Sequence, residues 1–200
     1  MNTESHIVIK DITKKYGDRM VFSGFGIQLE KAASTVLMGR SGRGKTTLLR
    51  MLMGLEVPES GIICGHEAMR LSAVFQEDRL CELLSVETNI KMVLSSGRGG
   101  NPKSRHERIA ENLRLAGLEN EIRTPVKNLS GGMKRRVAIV RAVMAESDLI
   151  LMDEPFRGLD SETRLMCMKY VRENTKGKTL VISTHSDEEA RYMGDNIIKI

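Results

Sequence analysis

Residues 39–47, Gly-Arg-Ser-Gly-Arg-Gly-Lys-Thr-Thr, put three glycines, a lysine and two threonines into nine positions. Glycines let successive backbone N–H groups converge on phosphate oxygens, and a lysine among them adds a cation for the β- and γ-phosphates. The spacing Gly39, Gly44, Lys45, Thr46 fits a phosphate loop, with Arg40, Ser41, Gly42 and Thr47 as further nucleotide contacts and the Thr46 hydroxyl offered to Mg²⁺. A second pair of chemical groups closes the apolar run Leu149–Met152: Asp153, placed to hold a Mg²⁺ shell, and Glu154, placed to orient and deprotonate a water on the γ-phosphate. A second anion device, Ser130-Gly131-Gly132, stands before another helical run.

These groups need elements that hold them. Short β-branched runs at 6–9, 34–38, 71–75, 148–152, 179–183 and 196–200 alternate with helical patterns, which predicts an α/β fold with a mainly parallel sheet. Several runs are apolar throughout, as strands covered on both faces should be. Helices are expected over 45–53 and 105–116, each stopped by the glycine that follows, and over 131–145, 161–174 and 186–193. Ser186 and Glu189 read as a capping box for the last of these. Between Gln76 and Ser130 the pattern predicts at least two helices and no strand, joined by a flexible loop at 95–104. The expected organisation is one domain, 1–200, with a helical subdomain at about 77–146 inserted into the core.

Composition narrows the classes. Two hundred residues, 40% hydrophobic and 28% charged, suit one folded domain, with no apolar run long enough to span a bilayer and no leader pattern at the N-terminus. The net charge of +5 suits polyanions, but 4% aromatic residues and no tryptophan leave little for bases to stack on, so no nucleic-acid partner is expected. Cys64, Cys81 and Cys167 lack metal spacing and read as free thiols, and Cys64-Gly65-His66-Glu67 reads as a turn. Lys134-Arg135-Arg136 reads as a solvated helix face.

At "LSGGMKRRV", after a helical insertion and before "LILMDEP", the chain resembles ABC-transporter ATP-binding subunits, and the resemblance spans nearly its whole length. It implies a P-loop NTPase (ABC ATPase) core with a small N-terminal β region. In that likeness Tyr16 resembles the aromatic that stacks on adenine, and Gln76 the glutamine that joins the Mg²⁺ site to the helical subdomain. "FRGLD" resembles the D-loop ending in Asp160, and His185 the histidine that contacts the γ-phosphate. It further implies that two copies, or this chain and a homologous subunit, sandwich two ATP head to tail. Ser130, Gly131 and Gly132 would then hold the γ-phosphate bound by the other copy.

The wording "LSGGM", "VFQEDRL" and "MDEPF" is similar to nitrate-, sulfonate-, taurine- and thiamine-type importers, which implies a cytoplasmic subunit on the inner membrane face. Its partners would be permease subunits, docking near Gln76 and residues 77–95, and indirectly an extracytoplasmic solute-binding protein. Departures are Met133 where glutamine is commonest, Arg157 where a small residue is usual, an abbreviated segment 59–71 and an early end at Ile200, read as leaving no regulatory C-terminal domain. Arg40 and Arg43 are expected to face solvent. An exporter ATPase, a soluble ATPase acting on nucleic acid or ribosomes, a regulator without turnover and a P-loop kinase are the competing readings. About ninety residues without heptads between the phosphate loop and "LSGG" disfavour the DNA-repair type. Intact Lys45, Asp153, Glu154 and His185 disfavour the regulator, and "LSGG" itself disfavours the kinase.

Overall fold

In the computed structural model, residues 5–94 and 102–200 are described. A parallel sheet of five strands lies at the centre, in the order β5-β6-β7-β3-β8. Its strands are β3 (Ser34–Met38), β5 (Leu71–Val74), β6 (Leu149–Asp153), β7 (Thr179–Thr184) and β8 (Asn196–Lys199). All six expected strand segments are present within a residue or two, except that the first extends well beyond 6–9. It becomes β1 (His6–Tyr16), the middle of an antiparallel sheet ordered β2-β1-β4 with β2 (Arg19–Glu30) and β4 (Ser60–Cys64).

Neither β2 nor β4 shows in the hydrophobic pattern. β2 buries only Phe22 and Leu29, is interrupted by Gly24 and Gly26, and leaves its other face to solvent. β4, five residues long, falls in the segment that reads as abbreviated, and its backbone pairs with β1 from Thr13 to Val8.

The central strands sort their side chains by the two-residue period. Leu37, Leu149, Leu151 and Val181 face one side, where they pack against helix α1 (Lys45–Leu52) through Leu48, Leu49 and Leu52, and against the antiparallel sheet through Ile7, Ile9 and Phe22. Val36, Ile150, Met152, Leu180 and Ile182 face the other side. There they meet α4 (Gly131–Met144) and α5 (Ser161–Asn174), and that apolar cluster runs on into α2 (Val86–Lys91) and α3 (Pro102–Leu115). A strand buried on both faces has no solvent side to show, which is why β6 is apolar from Leu149 to Met152 and β7 from Leu180 to Ile182.

The helices follow the expected stops, with Gly54 after α1 and Gly117 after α3 both left-handed at φ +68° and +65°. Residues 95–101 of the expected flexible loop lie outside the described residues, whereas 102–104 already belong to α3, which opens on Pro102, a residue suited to a first helical position. The expected capping box on α6 (Asp187–Met193) is only half formed. Ser186 Oγ accepts from the Glu189 N–H at 3.3 Å, but the Glu189 carboxylate accepts instead from Thr184 Oγ1 at 2.5 Å. Thr184 Oγ1 takes the Ser186 N–H at 3.1 Å, so the threonine hydroxyl completes the circuit.

Candidate functional site

Residues 39–47 join the C-terminal end of β3 to the start of α1, where backbone N–H groups of a helix first turn are unpaired within the helix. Gly44 sets the geometry. Its φ is +99°, and a β-carbon there would come within 2.6 Å of Phe22 Cζ and 2.8 Å of Val21 Cγ1. Only glycine fits both the backbone and the space. Lys45 is buried, at 4% exposure, and folds its ammonium back to donate to the carbonyls of Gly39 at 2.6 Å and Arg40 at 3.1 Å.

The loop floors a cavity of about 390 Å³, to which it contributes Ser41, Gly42, Gly44, Lys45, Thr46 and Thr47. The far walls come from Tyr16 and Arg19 of the antiparallel sheet, Gln76 after β5, and Glu154 and Arg157 after β6. Tyr16 is 46% exposed and held at its rim: its hydroxyl donates to Glu56, and the Lys14 ammonium lies 5.2 Å from the ring centroid. Desolvation, then the bond to Glu56, raises the phenol above its ordinary pKa and keeps it a donor.

Thr46, Gln76 and Asp153 line an adjoining cavity of about 230 Å³. One carboxylate with two neutral oxygens is a poor all-protein cage but matches a hard cation that keeps water and phosphate ligands. The residues present therefore fit Mg²⁺ held jointly with a nucleotide. Among the described residues no three His, Cys, Asp or Glu side chains group as a metal site.

The acidic pair is ordered by a residue the sequence did not single out. Asp153 is cross-strand neighbour to Ser183 on β7. Ser183 Oγ donates to Asp153 Oδ1 at 2.5 Å and accepts the Glu154 N–H at 2.9 Å, so one fully buried hydroxyl orients both acids. Glu154 takes a left-handed φ of +44°, an uncommon backbone for a non-glycine residue, and its N–H also donates to the Ser183 carbonyl at 3.2 Å. That turn leaves the Glu154 side chain 13% exposed between an imidazole and a guanidinium: His185 Nδ1 lies 3.5 Å from Oε1 and Arg157 Nη1 lies 3.6 Å from Oε2.

The solvated reading of Lys134-Arg135-Arg136 is overturned. Arg135 is 5% exposed, and its guanidinium donates to the carbonyls of Pro155 at 2.9 Å, Phe75 at 2.6 Å, Asp153 at 3.0 Å and Glu154 at 2.6 Å, and to Asp78 Oδ1 at 3.0 Å. It thus ties α4 to both the Gln76 loop and the acidic loop. Arg136 donates to the carbonyls of Ala116 and Gly117, and Lys134 pairs with Glu82 at 2.7 Å. A charge pattern cannot reveal these acceptors, because they are backbone carbonyls brought close only by the fold.

The remaining candidates are spread more widely. Arg40 and Arg43 are exposed as expected. Ser130 caps α4, its Oγ accepting from the Met133 N–H at 3.3 Å, and it stands exposed outside the cavity with Gly131 beside it. A β-carbon on Gly131 would meet nothing within 4 Å, and one on Gly132 only Leu159 Cδ2 at 3.6 Å. Asp160 caps α5 through the Thr163 N–H at 2.9 Å and also lies outside the cavity. Arg19, which does line the cavity and donates to the Gly42 carbonyl at 2.8 Å, was missed; its one sequence hint is its place three residues after Tyr16.

A phosphate loop at the end of a parallel strand, with a buried aspartate and a following glutamate at the tip of a strand two places along the same sheet, defines a P-loop nucleoside triphosphatase. Residues 22–157 match the family described as ABC transporter, and the chain belongs to that family. It is 35% identical over 205 residues to the Nod factor export ATP-binding protein I of Burkholderia orbicola, covering 97% of this chain and 67% of that protein. It is 34% identical over 195 residues to the aliphatic sulfonates import ATP-binding protein SsuB 2 of Burkholderia cenocepacia, covering 94% and 70%. Among solved structures, the dimeric bacterial ABC transporter cassette MJ0796 superposes with a TM-score of 0.84 at 29% identity, over 97% of this chain and 94% of that one. The same cassette in a dimeric post-hydrolysis state with ADP and phosphate gives a TM-score of 0.82 at 28% identity, with the same coverage of both chains. The chain is accordingly an ATP-binding, ATP-hydrolysing cassette.

Proposed function

We propose that this cassette powers a membrane transporter by closing and opening as a head-to-tail pair around two ATP molecules. The observation that carries this reading is a mismatch within one chain. The phosphate loop sits in a cavity with Lys45, Thr46, Gln76 and Glu154 converging on it, while Ser130 and Gly131 stand exposed outside that cavity. Exposed donors at a helix start suit a phosphate presented by another surface, which supports their assignment to the nucleotide of a second copy. MJ0796, similar over nearly the whole chain, is described as dimeric.

Within one site, Tyr16 would carry the base, the Gly39–Thr47 loop and Lys45 the phosphates, and Thr46, Gln76 and Asp153 the Mg²⁺, which would neutralise phosphate charge when bound. Glu154 would hold the attacking water and take its proton, with His185 against its other oxygen and near the terminal phosphate. Asp160 would contribute from the loop facing the partner copy. The helical region 77–146 would follow the nucleotide site through Arg135, which links its last helix to the Gln76 carbonyl and to the acidic loop. Loss of the γ-phosphate removes the contacts that hold two copies shut, which turns chemistry into opening.

The permease would engage the surface after Gln76, where Leu83, Leu84, Met92 and Val93 are exposed apolar side chains at 80%, 40%, 62% and 37%. The chain would thereby sit on the inner face of the membrane. Among the described residues no helix is long and apolar enough to cross it. Import, with a solute-binding protein outside, is the direction we favour on the wording of "LSGGM", "VFQEDRL" and "MDEPF". Export is the second reading, favoured by the identity to a Nod factor export protein. Solute uptake or release by vesicles holding the reconstituted transporter separates them.

The dimer is tested by the solution mass of Glu154→Gln with and without MgATP, read by light scattering behind a sizing column. A monomer that doubles its mass only with MgATP is the expected result. A monomer in both conditions, with nucleotide bound, removes the sandwich reading.

A further inference from the structure

Arg157 occupies a position that the chemistry above leaves unassigned. It follows Glu154 by three residues, and its N–H donates to the Glu154 carbonyl at 3.2 Å, closing a tight turn. Phe156 and Leu159 on either side are buried at 1% and 9%, and Gly158 turns the chain at φ +78°. With both flanks anchored in the core, the arginine is pushed outward, its side chain 61% exposed and lining the nucleotide cavity with Lys45 and Thr46. Among the described residues its guanidinium pairs with one carboxylate, Glu154, at 3.6 Å, beyond ordinary hydrogen-bond length.

The Arg157–Glu154 pair is poised to exchange. A half-exposed ion pair is weak and mobile. A terminal phosphate carries more charge than a carboxylate and offers a guanidinium two parallel acceptors, which an arginine fork fits better than it fits a distant single oxygen. ATP bound on the Gly39–Thr47 loop would also bring its γ-phosphate toward Glu154, placing two anions together unless a cation stands between them. ADP lacks that phosphate and would leave the pair as it is.

We propose that Arg157 reads the γ-phosphate from within its own subunit, giving up Glu154 for ATP but not for ADP, so that it sets triphosphate-over-diphosphate selectivity and frees the Glu154 carboxylate only when a γ-phosphate is present. This rests on the assignment of the cavity as the nucleotide site. The role differs from that of Lys45, which is buried in the loop and would meet the β-phosphate that both nucleotides carry.

The test is equilibrium binding, by calorimetry, of the β,γ-imido analogue of ATP and of ADP to the wild-type chain, Arg157→Ala and Arg157→Lys, at concentrations where light scattering shows a monomer. Arg157→Ala is expected to weaken the triphosphate analogue about tenfold and to leave ADP within about twofold, the size of one charge-assisted contact. Arg157→Lys should recover part of the loss. In a double-mutant cycle, Glu154→Gln should tighten the analogue more with Arg157 present than in the Arg157→Ala background, because only there does it release a cation. Equal losses for both nucleotides, or no loss, overturn the role of Arg157, as does a selectivity change seen only in the dimer, which would place the contact across the interface. A wild-type chain that binds neither nucleotide overturns the site itself, and the proposal with it.

Discussion

At Gly44 a β-carbon would strike Phe22 within 2.6 Å, whereas at Gly131 it would find nothing within 4 Å. Both glycines stand at the start of a helix, where backbone N–H groups are left unpaired, yet one is walled in and the other is open. The Gly39–Thr47 loop is enclosed, backed by the antiparallel sheet and furnished with a buried lysine. The Ser130–Gly132 loop has its cap, its helix and no enclosure. A glycine enclosed by its own chain serves the fold and the site together. A glycine that its own chain leaves bare is free to serve a surface brought from elsewhere.

The largest effect should come from the enclosed half. Lys45→Ala removes the one buried cation of the loop and should reduce ATP binding or turnover by about a hundredfold or more, in line with losing a placed charge from a phosphate site. Unchanged hydrolysis would take the phosphate role away from this loop.

Exchanging the two glycines in turn sharpens the contrast. Gly44→Ala forces a side chain into a left-handed, occupied position and should lower stability by about 1–3 kcal/mol in thermal or urea unfolding, with nucleotide binding lost as well. Gly131→Ala should change stability by no more than about 0.5 kcal/mol, since it adds a methyl to open space at a helix start. It should nonetheless suppress the MgATP-dependent dimer of Glu154→Gln. Marked destabilisation by Gly131→Ala, or a dimer that forms regardless, would erase the distinction between the two loops.

A smaller change is expected at the rim. Tyr16→Ala should weaken ATP about tenfold, the scale of one stacked base, while turnover at saturating ATP stays near wild type. An unaltered affinity would return Tyr16 to a surface aromatic fastened to Glu56.

The smallest effect lies away from both loops. Arg70 donates from its backbone and side chain to Asp148, which lowers that carboxyl to about 2 from 3.8. A carboxyl with a depressed folded-state pKa stabilises the fold above its unfolded value and loses that contribution as pH falls from about 4 to about 2. The pair is solvent-facing, so Asp148→Asn should remove less than about 1 kcal/mol at neutral pH and flatten the acid side of the stability curve in that window. Nucleotide binding should not change; if it did, this pair would be part of the site.

Legibility in the sequence followed burial. β6 and β7, covered on both faces, carry the apolar stretches Leu149–Met152 and Leu180–Ile182 and stand out, as does the phosphate loop, whose glycines and lysine act through local backbone geometry. β2 and β4 do not, because an antiparallel strand with one face in water and glycines along it carries too few apolar positions to register. The cap at Ser186 is only half formed because spacing puts Glu189 within reach of the Ser186 N–H but cannot show that Thr184 engages its carboxylate instead.

The sequence by itself determined the α/β alternation, the phosphate loop, the acidic pair and the second glycine-rich helix start, since each depends on residues adjacent in the chain. Tertiary structure alone decided that Ser183 would orient both acids, that Arg135 would be buried in backbone carbonyls rather than solvated, that Arg19 and Arg157 would line the cavity over the Gly39–Thr47 loop, and that Ser130 would lie outside it. The reason is physical: a local motif places backbone donors within a few residues of one another, whereas the direction of a long cation or a neighbouring strand's hydroxyl depends on which distant elements pack against it.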